Sequence, residues 1–136
     1  MDAFDSDVLI DAATAGHPVG ARVARLFDDA SVARDDPVGI GSVLLLPEVL
    51  IKPLRHGQAA EAAGLRFMLS RLDLHPVDAG TARVAVALGA TYGLGTADAV
   101  HLATAVLAGA DRFITNNRRD FTKSITEVDV TYADEV

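Results

Sequence analysis

Cysteine and tryptophan are absent from this sequence, and aromatic residues are scarce, with five Phe and two Tyr among 136 residues. Without cysteine the chain has no disulfide, no thiolate metal site and no cysteine nucleophile. The scarcity of aromatic rings leaves little for a surface that stacks nucleic acid bases, so we expect Phe121 to pack in the core. The lack of cysteine also agrees with a cytoplasmic protein.

A signal peptide and a membrane span are absent as well. Residues 1–5 are acidic, without the basic and apolar regions of a secretory signal. No apolar run approaches the length that crosses a bilayer. We therefore expect a soluble cytoplasmic protein without a membrane partner, and a length of 136 residues fits a single domain over residues 1–136.

The sequence is also poor in positive charge. It has 12 Lys and Arg against 19 Asp and Glu, which gives a net charge of −7. Such a balance is not typical of proteins that bind nucleic acid by simple neutralisation of phosphates. The exception is the segment 112–123, in which four basic residues accompany Asp120. The sequence thus predicts one basic loop on an acidic molecule.

Short apolar segments typical of strands alternate with segments of helical periodicity. The predicted strands lie at 3–5, 38–41, 74–77, 112–115 and 128–132. The predicted helices lie at 6–13, 19–30, 42–51, 58–72, 79–91 and from 97 towards 109. We expect Thr96 to cap the last helix, Pro47 to kink the third, the last strand to have one exposed face and residues 133–136 to be frayed. This alternation predicts an α/β fold with a mostly parallel sheet of four to five short strands and helices on both faces.

Five polar residues are predicted to meet at one edge of that sheet, because sites in parallel sheets form beyond the carboxyl ends of the strands. Asp5 is the last residue of the first strand, Asp98 lies in the first turn of the last helix, and Glu48 lies within about two helical turns of the end of the second strand. Asn117 and Asp120 follow the fourth strand. Asp5 and Asp98 could instead be simple helix caps, whereas Glu48 stands in an apolar run where an unpaired carboxylate is costly.

Several carboxylates in one place repel, by roughly 4 kcal/mol for a pair about 4 Å apart at an effective dielectric constant near 20. A fold tolerates this repulsion when a cation normally lies among the acids. Oxygen ligands without cysteine favour Mg²⁺ or Mn²⁺ over Zn²⁺. These ions activate water for in-line attack on a phosphodiester, so metal-dependent phosphodiester hydrolysis is the predicted reaction class.

Four segments resemble the signature segments of PIN-domain proteins, in the family's order and across nearly the whole chain. They are residues 4–10 (FDSDVLI), 42–50 (SVLLLPEVL), 96–105 (TADAVHLATA) and 113–121 (FITNNRRDF). A domain of this size is similar in particular to the VapC-type toxins of type II toxin–antitoxin modules. The resemblance implies a PIN-like three-layer α/β/α sandwich and an Mg²⁺- or Mn²⁺-dependent endoribonuclease in which Asp5, Glu48 and Asp98 hold the metal.

The same resemblance assigns roles to the loop after the fourth strand. Asp120 matches the fourth acid of one branch of the family, whereas many relatives carry an acid at the position of Asn117, so the identity of the fourth ligand is open. Thr115 matches a hydroxyl position that orders waters or the acidic cluster. Apart from the resemblance, the basic charge of the loop itself indicates that Arg118 or Arg119 would guide RNA. The family also implies a homodimer and a cognate antitoxin that blocks the site.

Two alternatives compete with the ribonuclease prediction. A PIN-like module that binds RNA or a partner with little or no turnover is one, because Asn117 and Pro47 depart from the usual pattern. A phosphoacceptor signalling domain is the other, but it requires a lysine that faces the acids, and the spacing of Lys123 does not suit.

Residues near the predicted site also have ordinary explanations. Asp7 and Asp11 are expected to be solvated on the first turns of the helix that follows Asp5. His101 is expected to be a structural histidine or a contact to a partner, since Mg²⁺ sites rarely use imidazole.

Overall fold

The computed structural model describes residues 1–28 and 35–136. Its strands are β1 (Asp2–Phe4), β2 (Gly39–Ser42), β3 (Leu72–His75), β4 (Arg112–Thr115) and β5 (Asp129–Tyr132). Its helices are α1 (Ser6–Ala13), α2 (Pro18–Phe27), α3 (Leu45–Arg55), α4 (Ala59–Ser70), α5 (Ala79–Tyr92) and α6 (Thr96–Leu107), followed after β5 by a 3₁₀ turn (Ala133–Glu135). Within these described ranges, none of the helices combines the length and the hydropathy that crossing a bilayer requires.

The five strands form one sheet in the order β3-β2-β1-β4-β5, and every neighbouring pair is parallel. β1 is central, with Ala3 opposite Ile40 of β2 and Phe113 of β4. The predicted α/β fold with a parallel sheet is therefore confirmed. All five strands end at the same side of the molecule, which we call the carboxyl edge.

Helices cover both faces of the sheet, because successive side chains of each strand point in opposite directions. Phe4 and Ile114 pack with residues of α1, α2, α3 and α4 in one buried apolar cluster. Ala3 and Phe113 pack with α5 and α6 in the other. The arrangement is the predicted three-layer α/β/α sandwich.

The boundaries of four strands differ from the prediction. β1 lies one residue earlier than predicted, at Asp2–Phe4, and β5 begins one residue later, at Asp129. β2 lies one residue later than predicted, and β3 lies two residues earlier, at Leu72–His75. Pro76 explains why β3 ends at His75, because proline lacks the N–H that a strand in a sheet needs. The prediction that the second helix reaches residue 30 falls partly outside the described residues.

Pro47 does not disturb α3 as predicted. The helix begins at Leu45, so Pro47 lies in its first turn. The N–H groups of a first turn have no intrahelical acceptor, so the missing N–H costs no hydrogen bond and gives no cause for a kink. Glu48 follows at once and donates its backbone N–H to the carbonyl of Leu44 over 3.2 Å.

The start of α6 also differs from the prediction. Gly95 is the N-cap, without a side-chain hydrogen bond, and Thr96 is the first helical residue. Asp98 remains in the first turn, where the free N–H groups and the helix dipole favour a negative charge. α6 runs antiparallel to β4, which follows it, so its amino terminus lies at the carboxyl edge.

The predictions for the last strand and for residues 133–136 were wrong. Thr131 on β5 is buried, and Ala133 is fully buried. Arg22 donates to the carbonyl oxygen of Val136 from both Nε and Nη2, over 3.0 and 2.8 Å. Residues 133–136 are therefore packed against the body of the protein.

Candidate functional site

Asp5 and Thr115 form the centre of the site because β1 and β4 are neighbours. Phe4 pairs with Ile114, so the next residues of both strands meet at the carboxyl edge. Thr115 Oγ1 donates to Asp5 Oδ2 over 2.8 Å, and the Ser6 N–H donates to Asp5 Oδ1 over 2.8 Å. Burial raises the pKa of Asp5 above its usual value, against the lowering effect of the Thr115 hydrogen bond. Asp5 thus both caps α1 and faces the site.

A chain of hydrogen bonds connects this centre to the loop after β4. The Asn117 N–H donates to Thr115 Oγ1 over 3.0 Å, and Asn117 Nδ2 donates to Asp120 Oδ2 over 3.0 Å. The Asp120 N–H donates back to Asn117 Oδ1 over 3.2 Å. The hydrogen bond from Asn117, assisted by Arg119, lowers the pKa of Asp120. Asn117 therefore holds Asp120 by two hydrogen bonds and presents it as an ionised carboxylate.

Asp98 lies within electrostatic range of the other three acids. Burial is the largest cause of the raised pKa of Asp98. The charges of Asp5 and Asp120 raise this pKa further, and that of Glu48 raises it to a smaller extent, while His101 lowers it. A pKa raised by three like charges indicates the mutual repulsion that the sequence predicts for this cluster.

Glu48 lies at the surface of α3 and contacts a buried histidine. His101 Nε2 forms a short hydrogen bond with Glu48 Oε1 and links α6 to α3. The His101 side chain is 1 % exposed, whereas that of Glu48 is 32 % exposed. His101 lies three residues after Asp98, on the same face of α6, and this spacing is the signal that could have predicted its place at the site.

The four predicted acids therefore share one region, but they do not form a closed metal site. Within residues 1–28 and 35–136, no three Asp, Glu or His side chains are close enough together to hold one ion. Their chemistry fits Mg²⁺ or Mn²⁺, because all four donors are carboxylates. Mg²⁺ usually keeps several of its waters and is bound by only one or two carboxylates, so the ion does not require three convergent donors.

Asp7 and Asp11 are not the solvated residues that the sequence predicts. Asp7 accepts the backbone N–H of Asn116 at 3.2 and 3.1 Å, and Asp11 accepts Asn116 Nδ2 at 2.6 Å. Burial, with the charge of Asp5, raises the pKa of Asp7 to about 7. These two residues of α1 hold the first residue of the loop that carries Asn117 and Asp120.

The two arginines of the basic loop differ in their contacts. Arg118 Nη2 donates to both carboxylate oxygens of Asp134 over 2.6 Å, and its guanidinium lies 4.2 Å from the centre of the Tyr132 ring. Arg119 contacts Asp120 at 3.4 Å and its side chain is 90 % exposed. Arg119 is therefore the more accessible cation beside the acids.

The Thr115 hydroxyl supports both Asp5 and Asn117, so its removal should be costly. We expect Thr115→Val, which keeps the shape of the side chain, to lower the free energy of unfolding by about 1–3 kcal/mol, because a buried carboxylate and an N–H lose their partner. Urea unfolding of the metal-free protein measures the change. Thr131→Val, at a buried position on β5, is the matched control, and an equal loss in both variants would contradict the prediction.

The protein is thus an α/β domain with a parallel sheet and an acidic site at the carboxyl edge. The four acids lie around the ends of β1, β2 and β4 and the start of α6. Residues 3–124 match the model of the PIN domain family. The chain belongs to the PIN domain family, as its four sequence segments predict.

Comparison with solved structures agrees with this assignment. A chain of a toxin–antitoxin complex from Klebsiella pneumoniae superposes with a TM-score of 0.75 at 25 % identity, covering 100 % of both chains. A chain of VapBC2 from Rickettsia felis, bound to a DNA fragment from its promoter, has a TM-score of 0.71 at 18 % identity and covers 96 % of this chain and 97 % of that one. No curated protein matches the sequence. The predicted resemblance to VapC-type PIN domains is supported by these neighbours.

Proposed function

We propose that this protein is a divalent-metal-dependent endoribonuclease and the toxin of a toxin–antitoxin pair. The observation that carries the proposal is the cluster at the carboxyl edge, where burial and then the charges of Asp5, Asp120 and Glu48 raise the pKa of Asp98. Membership of the PIN domain family supports a nuclease, and the likeness to a chain of a toxin–antitoxin complex supports a toxin.

Asp5, Glu48 and Asp98 would hold Mg²⁺ or Mn²⁺, and Asp120, fixed by Asn117, would complete the set. A divalent ion in this position supplies a Lewis acid that activates water and stabilises the charge that develops on a phosphodiester. Thr115 orients Asp5 through its hydroxyl. Arg119 is the better placed of the two arginines to contact an RNA phosphate, since Arg118 is paired with Asp134.

The proposed protein partners are a cognate antitoxin and a second copy of the chain. The proposed location of the protein is the cytoplasm. Large apolar side chains are exposed on α3 and α4, which pack against each other, and exposed apolar patches are typical of surfaces that bind other proteins. These side chains are Leu46, Ile51, Leu54 and Phe67, with 40, 60, 51 and 50 % exposure. Copurification with the product of the neighbouring reading frame tests the antitoxin, and light scattering of the purified chain tests the dimer.

The nuclease activity is tested with purified protein and a mixed pool of RNA. Cleavage is expected with Mg²⁺ or Mn²⁺ and not after chelation with EDTA. A folded preparation that cleaves no RNA with either ion would overturn the proposal.

A second candidate is a PIN-like module that binds RNA or a protein without turnover. The absence of three convergent donors among the described residues favours it. Calorimetry separates the two candidates, because the inert module predicts no Mn²⁺ binding even at millimolar ion.

A further inference from the structure

We infer that His101 is a positioning residue, which holds Glu48 in the orientation that lets this carboxylate bind a divalent cation. The inference rests on the proposed function and assigns to the site a residue outside its four acids. The contact of His101 Nε2 with Glu48 Oε1 joins two helices whose contacting residues are 53 positions apart in the sequence.

The burial of His101 argues against a role in packing alone. The residue is 2 % exposed on a helix whose other buried residues are almost all apolar. Its Nδ1 is buried and has no hydrogen-bond partner in the part of the chain that the structure describes. Among the described residues, Glu48 is thus the only hydrogen-bond partner of the ring. An apolar side chain would fill the same space without a buried unpaired nitrogen.

The direction of the hydrogen bond follows from the chemistry of the partners. An ionised carboxylate only accepts hydrogen bonds, so His101 Nε2 carries the proton and donates it to Glu48 Oε1. Glu48 Oε2 has no hydrogen bond within residues 1–28 and 35–136. One oxygen of Glu48 is therefore fixed by the protein, and the other is left for a ligand.

The location of Glu48 completes the argument. Burial is the main cause of the raised pKa of Asp5 and of Asp98, and the charge of Glu48 adds to both, so the Glu48 carboxylate lies within electrostatic range of the acids that it would join. Partners that orient a carboxylate ligand commonly contribute strongly to metal affinity. An unrestrained Glu48 on the surface of α3 would have to lose side-chain freedom each time an ion bound.

Mn²⁺ calorimetry on three variants tests the role. We expect His101→Leu to weaken Mn²⁺ binding by about 10- to 100-fold, the range typical of residues that orient a metal ligand. His101→Gln retains an N–H donor and should recover most of the affinity. Thr104→Val is the matched control, because Thr104 is buried one turn later on α6 and its hydroxyl donates only to the carbonyl of Val100.

A second measurement on the metal-free protein separates the inference from the proposed function. Nitrogen-15 spectra of the His101 ring should show a protonated Nε2, and Glu48→Gln should change its chemical shift. An unprotonated Nε2, unchanged or tighter Mn²⁺ binding by His101→Leu, or no recovery in His101→Gln would each overturn the inference while wild-type binding stands. Absence of Mn²⁺ binding in the wild type would instead overturn the proposed function, and with it the role of His101.

Discussion

Asp98→Asn is expected to lower divalent-dependent RNA cleavage by about 100-fold or more. Residues that only orient a ligand commonly contribute about 10- to 100-fold, so a residue that would bind the ion directly should lie at or above the upper end of that range. Asparagine keeps the size and one oxygen of the side chain but removes its charge. The measurement is the rate of cleavage of one RNA at saturating Mn²⁺, with Mn²⁺ binding measured in parallel.

Loss of activity in this variant should not reflect unfolding. The charges of Asp5 and Asp120 disfavour an ionised Asp98. Removal of its charge relieves this repulsion, so the metal-free variant should be at least as stable as the wild type. The gain should be less than about 1 kcal/mol, because water screens a partly exposed carboxylate.

Asp129→Asn is the control for the change of Asp98 to asparagine. Asp129 is exposed at the first residue of β5, at the opposite end of the strands from the carboxyl edge. We expect this variant to cleave RNA at the wild-type rate. Equal cleavage by the wild type and Asp98→Asn would exclude Asp98 from the reaction.

Phe121→Ala is expected to lower the free energy of unfolding by about 3–5 kcal/mol, the usual cost of deleting a buried aromatic ring. Phe121 is fully buried, and its ring centre lies 4.9 Å from that of Phe113 in an edge-to-face contact. Its carbonyl accepts the hydroxyl of Tyr132 over 2.9 Å. The free energy of unfolding of a whole domain is typically roughly 5–15 kcal/mol, so a loss of this size is a large part of it. Guanidinium unfolding measures the loss.

The control for Phe121→Ala is the same substitution at an exposed phenylalanine. Phe67 on α4 is 50 % exposed, so Phe67→Ala should change the stability by only about 0.5 kcal/mol. If Phe121→Ala does not fold, Phe121→Leu retains most of the apolar volume and should show a smaller loss of the same sign. Similar stabilities for the two alanine variants would contradict the assignment of Phe121 to the core.

Patterns local in the sequence predicted most of the fold. The segment at 112–115 has Phe113 and Ile114 at its centre and lies between turn residues, and its strand was predicted with the observed bounds. The fifth helix was predicted to begin at residue 79, as it does, and Asp78 caps it by accepting the Thr81 N–H over 2.8 Å. The third strand was predicted two residues too late. By its sequence alone, Leu72 fits either the end of a helix or the start of a strand, and its pairing with Gly39 of β2 places it in the strand.

The acids of the site were predicted by topology, since parallel strands bring their carboxyl ends together. Their partners were not predictable in this way. The contact between Glu48 and His101 depends on how α3 and α6 lie across the sheet, which no local pattern contains. Asp7 and Asp11 were predicted to be solvated, because nothing in the sequence indicates that Asn116 folds back onto α1. The metal, the RNA substrate and the protein partners stay predictions.

The order of the strands has a consequence for synthesis on the ribosome. β1 emerges first, yet its hydrogen bonds to β4 and the bond from Thr115 to Asp5 span 110 residues. Contacts so distant in sequence form late and slowly. A nascent or prematurely terminated polypeptide that stops before β4 therefore contains Asp5, Glu48 and Asp98 but lacks the strand that aligns them. The candidate site can therefore form only after residues 112–115 have been synthesised.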